Sequence, residues 1–302
     1  MTIGERGFKK KTICNVIEEK AEEWLATLPK ELAEKARNDY ILTGGAIASM
    51  LMGELPNDFD FYFQTPEVVK EIADYYINQI HVKNYRIGDI ASFIEGDRVR
   101  IKVKSAGAAF GEEDQAEYEY LESCSPEEIS KYFNNKKFIK QKDKPTYKCH
   151  YMTANCISLD GDVQLVIRFI GDPESIHKTY DYIHATNYYS KKTGLVLKQE
   201  ALESILAKEL KYIGSLYPVC SLFRMRKFIQ RGWTITAGEM FKIAYDISKL
   251  NLNDFRVLED QLIGVDTAYF SEVLSILSKN TDKQLDRTYL FELINRVFEE
   301  NV

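Results

Sequence analysis

Cysteine is scarce in this sequence and never closely paired. Cys14, Cys124, Cys149, Cys156 and Cys220 form an odd set with no Cys-x-x-Cys spacing. That argues against a disulfide framework and against a thiolate metal site. Histidine is equally sparse: His81, His150, His177 and His184 are scattered, and His150 beside Cys149 reads as an ordinary surface or core pair. No apolar run approaches the roughly 20 residues that cross a bilayer. The opening MTIGERGFKKKTICNVIEEK is basic, but it lacks the apolar core and small-residue cleavage site of a signal peptide. A cytoplasmic location without membrane association is therefore expected. There is no internal repeat and no excess of basic charge. The net charge of −6 argues against a nucleic-acid coat protein but leaves local basic tracks open.

What is present is an ordinary globular composition, 45% hydrophobic and 28% charged, over 302 residues, enough for two domains. The 19 Tyr and 16 Phe are expected mostly in the core. Residues 14–38 have helical spacing, with a break at Pro29. Thr65-Pro66-Glu67 opens another helix, Thr65 as cap and Pro66 at its first position. From about 84 to 105 the period changes to two, with Glu95-Gly96-Asp97 as a hairpin turn before RVRIKVK. Residues 107–124 read as an acidic loop, Ser125 to Glu128 as a capping box, and 134–148 as a basic loop. Strands resume at NCISLDGDVQLVIRFIG, turning at Asp160-Gly161-Asp162, and Asp172-Pro173-Glu174 caps the next helix. Beyond about residue 197 the pattern is helical: 198–213, 219–230, 237–250, 254–263, 267–279 and 283–299, with Thr236 and Glu239 as a capping box. The expected fold class is α+β, a mixed sheet with flanking helices over 1–196 followed by an all-helical domain over 197–302.

The chemistry concentrates in YILTGGAIASMLMGELPNDFDFYF, Tyr40 to Phe63. A Gly-Gly pair ends an apolar strand, a short helix follows, and Asp58 and Asp60 then sit among Phe59, Phe61, Tyr62 and Phe63. Aspartate is depleted in strands, and residues two apart share a face. Two carboxylates side by side repel unless a cation lies between them. Hard oxygen ligands of this kind suit Mg²⁺ carried with substrate phosphates. Gly44 and Gly45 allow a tight turn and a close approach to phosphate, with N–H groups of the following helix facing the anion. Thr43 adds a hydroxyl.

This stretch resembles the signature of the DNA polymerase beta-type nucleotidyltransferase superfamily. Its spacing is similar to the head of CCA-adding enzymes and bacterial poly(A) polymerases, GGxxRDxxLGxxPxDxDF. The shared residues are Gly44, Gly45, Gly53, Pro56, Asp58, Asp60 and Phe61, with one extra residue between Gly53 and Pro56. The text VQLVIRFIGDPESIHKTYDYIHATNYY and SLFRMRKFIQRGW also resembles nucleotidyltransferase-like proteins of large bacterial viruses. The resemblance implies a site for Mg²⁺ (or Mn²⁺) and an NTP, in which Asp58 and Asp60 hold the metal and NMP passes to an acceptor, an RNA (tRNA) 3′ end or a protein. It also implies a third carboxylate. Gln164 stands where the neighbouring strand should carry it, so Asp181 is the expected catalytic and metal residue, with Asp162 or no third carboxylate as alternatives.

Two departures bear on substrate. The Arg-Asp pair after the glycines is Ala48-Ser49 here, and the base-selecting Glu-Asp-x-x-Arg element is not recognisable. Both speak against CCA synthesis itself. Arg224, Arg226, Lys227 and Arg231 crowd one helix similar to the ALRxxRFxxxxGF helix of CCA-adding enzymes, which implies nucleotide or RNA contact; Leu222, Phe223, Phe228 and Ile229 mark a buried side. Arg98, Arg100, Lys102 and Lys104 share a strand face that tracks phosphates or simply faces solvent. A catalytically inactive phage module that binds RNA or a protein is the alternative to the enzyme.

Overall fold

The computed structural model describes residues 7–79, 90–96, 98–104, 118–120, 145–153, 155–263 and 291. Of the loop expected at 107–124 only Tyr118–Tyr120 is described, and it is a strand, held there by pairing with Lys102–Lys104. The capping box at 125–128, the loop residues 134–144 and the helices at 267–279 and 283–299 fall outside the described residues, apart from Phe291. Two helices come first, α1 (Lys10–Leu25) and α2 (Lys30–Asp39), separated at Pro29. They lead into β1 (Tyr40–Thr43), α3 (Gly45–Leu51), β2 (Phe59–Phe63) and α4 (Pro66–Gln79). A three-stranded antiparallel sheet follows, β3 (Ile90–Glu95), β4 (Arg98–Lys104) and β5 (Tyr118–Tyr120), with Gly96 at positive φ in the β3–β4 turn.

The chain then returns to the main sheet through β6 (Cys149–Met152), β7 (Cys156–Leu159) and β8 (Val163–Ile170). After α5 (Pro173–His177) and a 3₁₀ turn at Ile183–Ala185 come β9 (Tyr188–Ser190) and β10 (Gly194–Val196). The seven strands lie in the order β10-β9-β1-β2-β8-β7-β6. Every pair is antiparallel except β2–β8. Parallel neighbours need a long crossover, and residues 64–162 supply it. The sheet is thus mixed and flanked by helices, the expected α+β class.

Alternation sorts the strand residues. Leu42, Phe61 and Leu165 lie side by side in register, and all three belong to the main hydrophobic core with α1, α2 and α4. The ring of Trp24 on α1 packs 5.2 Å from that of Phe61, and its indole N–H donates to the Tyr76 hydroxyl of α4 at 3.0 Å. Burial of such rings supplies most of the driving force for this layer. Shifting by one residue moves every side chain to the opposite face, where Ile41, Tyr62 and Val166 pack on Ile176 of α5.

The remaining described elements are α6 (Gln199–Ala207), β11 (Glu209–Leu210), α7 (Pro218–Gln230), β12 (Thr234–Ile235), α8 (Ala237–Ser248) and α9 (Phe255–Ile263). The expected helix 198–213 ends at Ala207, because Lys208 turns left-handed at φ 48° and the chain enters β11. β11 pairs in parallel with β12, so this region is helical but not wholly so. Thr236 caps α8 by accepting from the Glu239 N–H. The Glu239 carboxylate accepts instead from the Tyr212 N–H at 2.7 Å and from Lys242. Ala48 of α3 is buried among Tyr182, Leu210, Tyr212, Trp233 and Ile243. An arginine there would have to bury its guanidinium in this cluster.

Candidate nucleotide site on the polar face of the sheet

Thr43, Asp60 and Gln164 are register partners across β1, β2 and β8. They alternate with the core residues Leu42, Phe61 and Leu165, so their side chains form a polar row on the opposite face. Asp58 immediately precedes β2 and has the same parity as Asp60. Both aspartates are partly exposed. The Gln164 amide donates to Asp58 Oδ2 at 3.0 Å. The position expected to supply a third carboxylate therefore carries an amide that holds Asp58.

Gly44 sits at φ 92°, a backbone that L side chains rarely adopt. A Cβ there would lie 3.3 Å from Asp60 Oδ2 and 3.6 Å from the Tyr180 hydroxyl. In front of Gly45 the corresponding position is open, with nothing within 4 Å. The missing side chains leave a cradle directly against Asp60. The Gly44 N–H, however, donates to the Ala185 carbonyl at 3.1 Å. The turn's suitability for an anion thus comes from steric access and not from that amide.

Thr43 is fully buried. Its hydroxyl meets His177 Nε2 at 2.8 Å and donates to the Asn187 carbonyl at 2.9 Å. On its other side His177 Nδ1 lies 3.1 Å from Lys198 Nζ, which also pairs with Glu174. An ammonium can only donate, so Nδ1 accepts and Nε2 carries the proton. Burial, reinforced by the Lys198 charge, lowers the His177 pKa to about 4, which keeps this neutral tautomer. The Thr43 hydroxyl is therefore engaged inside the protein, where it fixes the end of β1 just before the glycines.

Asp181 lies just beyond α5 and is buried. Its Oδ2 accepts from Arg224 Nη1 of α7 at 2.7 Å and from the Ser221 hydroxyl at 3.1 Å. Arg224 also acts electrostatically on Tyr62, the β2 residue two beyond Asp60. The other basic residues of this helix point elsewhere. Arg231 pairs with Glu54 in the segment between α3 and β2 and stacks over Phe228, while Arg226 and Lys227 are exposed. On β4, Lys102 and Arg100 both pair with Glu95. Asp162, the other expected candidate, lies in the β7–β8 turn at φ 60°, and its carbonyl accepts from the Phe59 N–H.

The donor set fits a magnesium ion that arrives with a nucleoside triphosphate. Magnesium is typically held by one or two carboxylates together with substrate phosphates, and Asp58 and Asp60 supply two. Among the described residues no group of three or more His, Cys, Asp or Glu side chains forms a closed metal cage. Cys14, Cys149, Cys156 and Cys220 are not in disulfides. His177, Gln164 and Tyr180 also lie against this face, at Thr43, Asp58 and Gly44 respectively. Only Gln164 was marked in the sequence, by its place in VQLVIRF. His177 and Tyr180 lie within the stretch that resembles the phage proteins but were not singled out, because nothing in their neighbourhoods predicts contact with a turn more than a hundred residues away.

A family described as Gabija anti-defense 2 family protein matches residues 15–208. A relative from Bacillus phage SPbetaL7, Gabija anti-defense 2, is 22% identical over 293 residues, which cover 91% of this chain and 57% of the relative. The chain thus spans little more than half the length of that relative. Among solved structures, a tRNA-processing enzyme with CTP is similar at 12% identity and a TM-score of 0.38, over 87% of this chain and 57% of that one. The Bacillus stearothermophilus CCA-adding enzyme in complex with CTP is similar at 10% identity and a TM-score of 0.37, over 93% and 63%. These two likenesses are too distant to carry an argument about activity. Among the described residues no helix is long and apolar enough to cross a membrane.

Proposed function

The chain belongs to the Gabija anti-defense 2 family, and from that premise we propose that it counters the Gabija defence by nucleotidyl transfer at the Asp58–Asp60 face. The observation that carries this reading is the convergence of Asp60 with the Gly44 cradle, in line with a second carboxylate, Asp58. In this reading Asp58 and Asp60 hold Mg²⁺ or Mn²⁺ with the triphosphate of an NTP. The metal's contribution is to neutralise phosphate charge and align the transfer. Gly44 and Gly45 admit the phosphates to the edge of β1. Thr43, anchored by His177, keeps that edge in place. Gln164 orients Asp58 by donating to one of its oxygens. Asp181, expected as a third ligand, holds Arg224, and we assign Arg224 to the anionic substrate. The exposed Arg226 and Lys227 suit an RNA acceptor, a tRNA 3′ end among the candidates, and a protein acceptor is the other possibility. The site of action is the host cytoplasm.

A second reading has specific support. Gln164 in place of a carboxylate, and Asp181 committed to Arg224, suit a module that binds nucleotide, RNA or a protein without transfer. One experiment separates the two. Purified protein is incubated with labelled NTPs, Mg²⁺ or Mn²⁺, and RNA or protein from a host carrying the defence, while the same variants are scored for phage growth on that host. Label transfer and phage rescue that both vanish in Asp58→Ala and Asp60→Ala support the enzyme. Rescue that survives in both variants, with no label transferred by the wild type, leaves the binding module.

A further inference from the structure

Tyr180 carries a hydroxyl that its surroundings do not use. The oxygen is buried and has no hydrogen-bond partner. Its ring is fixed, 6.0 Å from the Tyr62 ring and 5.2 Å from the His177 ring. The Tyr62 and Thr43 hydroxyls are its hydrogen-bonding neighbours, but neither comes into the distance and alignment of a formed bond. Buried polar groups are almost always satisfied, and an orphan hydroxyl destabilises the fold that contains it. Phenylalanine would fill the same space among Ile41, Tyr62, Val166 and Ile176, so packing alone does not explain a tyrosine.

The place where this hydroxyl converges with its neighbours gives it a use. Asp60 Oδ2 and the Tyr180 hydroxyl both lie within 3.6 Å of the point where Gly44 lacks a Cβ. That cradle is where the proposed reading seats the triphosphate. Burial holds the phenol far above its ordinary pKa, so it is a neutral O–H donor at any working pH. A donor beside a metal-binding carboxylate matches an anionic oxygen that the metal also draws in, and such charge-assisted bonds are the strong ones.

We propose that Tyr180 is a positioning residue of the nucleotide site, its hydroxyl donating to a phosphate oxygen of the bound nucleoside triphosphate beside Asp60. The inference rests on the nucleotide reading given above and adds a residue and a contact to it. The partner is a phosphate oxygen, not the base, because the contact lies at the Gly-Gly turn.

The test uses the full chain as wild type, Tyr180→Phe and Asp60→Ala. Each is melted without ligand and titrated with Mg²⁺ plus α,β-methylene analogues of ATP and CTP, and with Mg²⁺ plus tripolyphosphate. The expected Tyr180→Phe protein melts at or above the wild-type temperature, since an unsatisfied group has been removed. It binds both the analogues and tripolyphosphate about tenfold more weakly, equivalent to about 1.4 kcal/mol. Wild-type affinity in Tyr180→Phe overturns the inference and leaves the nucleotide site intact. A lower melting temperature with unchanged affinity also overturns it, by showing an internal partner for the hydroxyl. Absence of binding by the wild type overturns the nucleotide reading itself, and Tyr180's role falls with it.

Discussion

Acid should unfold this protein through its buried histidines, and His184 isolates the effect. Its ring is wedged between Phe228 and Trp233, with centroids at 4.6 and 4.7 Å, and its Nδ1 is buried without a hydrogen-bond partner. Burial lowers its pKa from 6.5 to about 4, outweighing the opposing field of Asp181. The unfolded chain therefore binds a proton near pH 6.5 that the folded chain refuses until about pH 4. Stability falls as pH drops through that window and is unaffected by this group above it. Between pH 7.5 and pH 5 the loss from this one histidine is about 2 kcal/mol. His177, lowered to about 4 by burial and by Lys198, adds a similar amount. The assay is denaturant unfolding of wild type and His184→Phe at pH 7.5, 6 and 5. Phenylalanine keeps an aromatic ring between Phe228 and Trp233 but cannot be protonated. The difference in stability between the two proteins should shift in favour of the variant by about 2 kcal/mol over this range. A pH-independent difference would refute the argument, as would a His184 ring that titrates near 6.5 in the folded protein by NMR.

Other outcomes follow from the same contacts. Gly44→Ala should destabilise by about 1–3 kcal/mol, because it sets a Cβ at φ 92° 3.3 Å from Asp60 Oδ2. It should also abolish nucleotide binding, readable by melting with and without Mg²⁺ and an NTP analogue. Arg224→Ala leaves the buried Asp181 carboxylate with only Ser221 among these partners and should cost about 2–3 kcal/mol in chemical denaturation. Arg226→Ala, on the exposed side of the same helix, should stay within about 0.5 kcal/mol. Lys208→Gly should raise stability by about 1 kcal/mol by relieving a left-handed residue at φ 48°. A lower midpoint would show that the Lys208 side chain matters more than its backbone.

Much of the architecture was legible because it follows local periods. The break at Pro29, the Asp160-Gly161-Asp162 turn, the Asp172 cap and the starts of the described helices at Gln199, Pro218, Ala237 and Phe255 lie where short-range chemistry put them. The Asp172 carboxylate does accept from the Glu174 and Ser175 N–H groups. Misreadings arose where a distant partner prevailed over local pattern. The helix at 199 stops early because β11 is stitched to β12, and the Glu239 carboxylate turns to the Tyr212 N–H while its own N–H keeps the Thr236 cap. The basic residues of α7 and its C-cap Arg231 spread over different partners because a helix distributes consecutive residues around its axis, and Asp181 and Glu54 claim Arg224 and Arg231.

The sequence by itself determined that Asp58 and Asp60 share a face opposite Phe59, Phe61 and Phe63, and that a glycine turn precedes them. Alternation along a strand and the backbone freedom of glycine are properties of a few adjacent residues. Only the tertiary structure decided what surrounds those carboxylates. Gln164 reaches Asp58 across 106 residues of chain, His177 reaches Thr43 across 134, and Arg224 takes Asp181 across 43. Such meetings depend on the register of β8 beside β2, on how α5 packs against β8, and on how α7 meets the Asp181–Tyr182 segment. That register is set by the summed burial of the core, which no local spacing records.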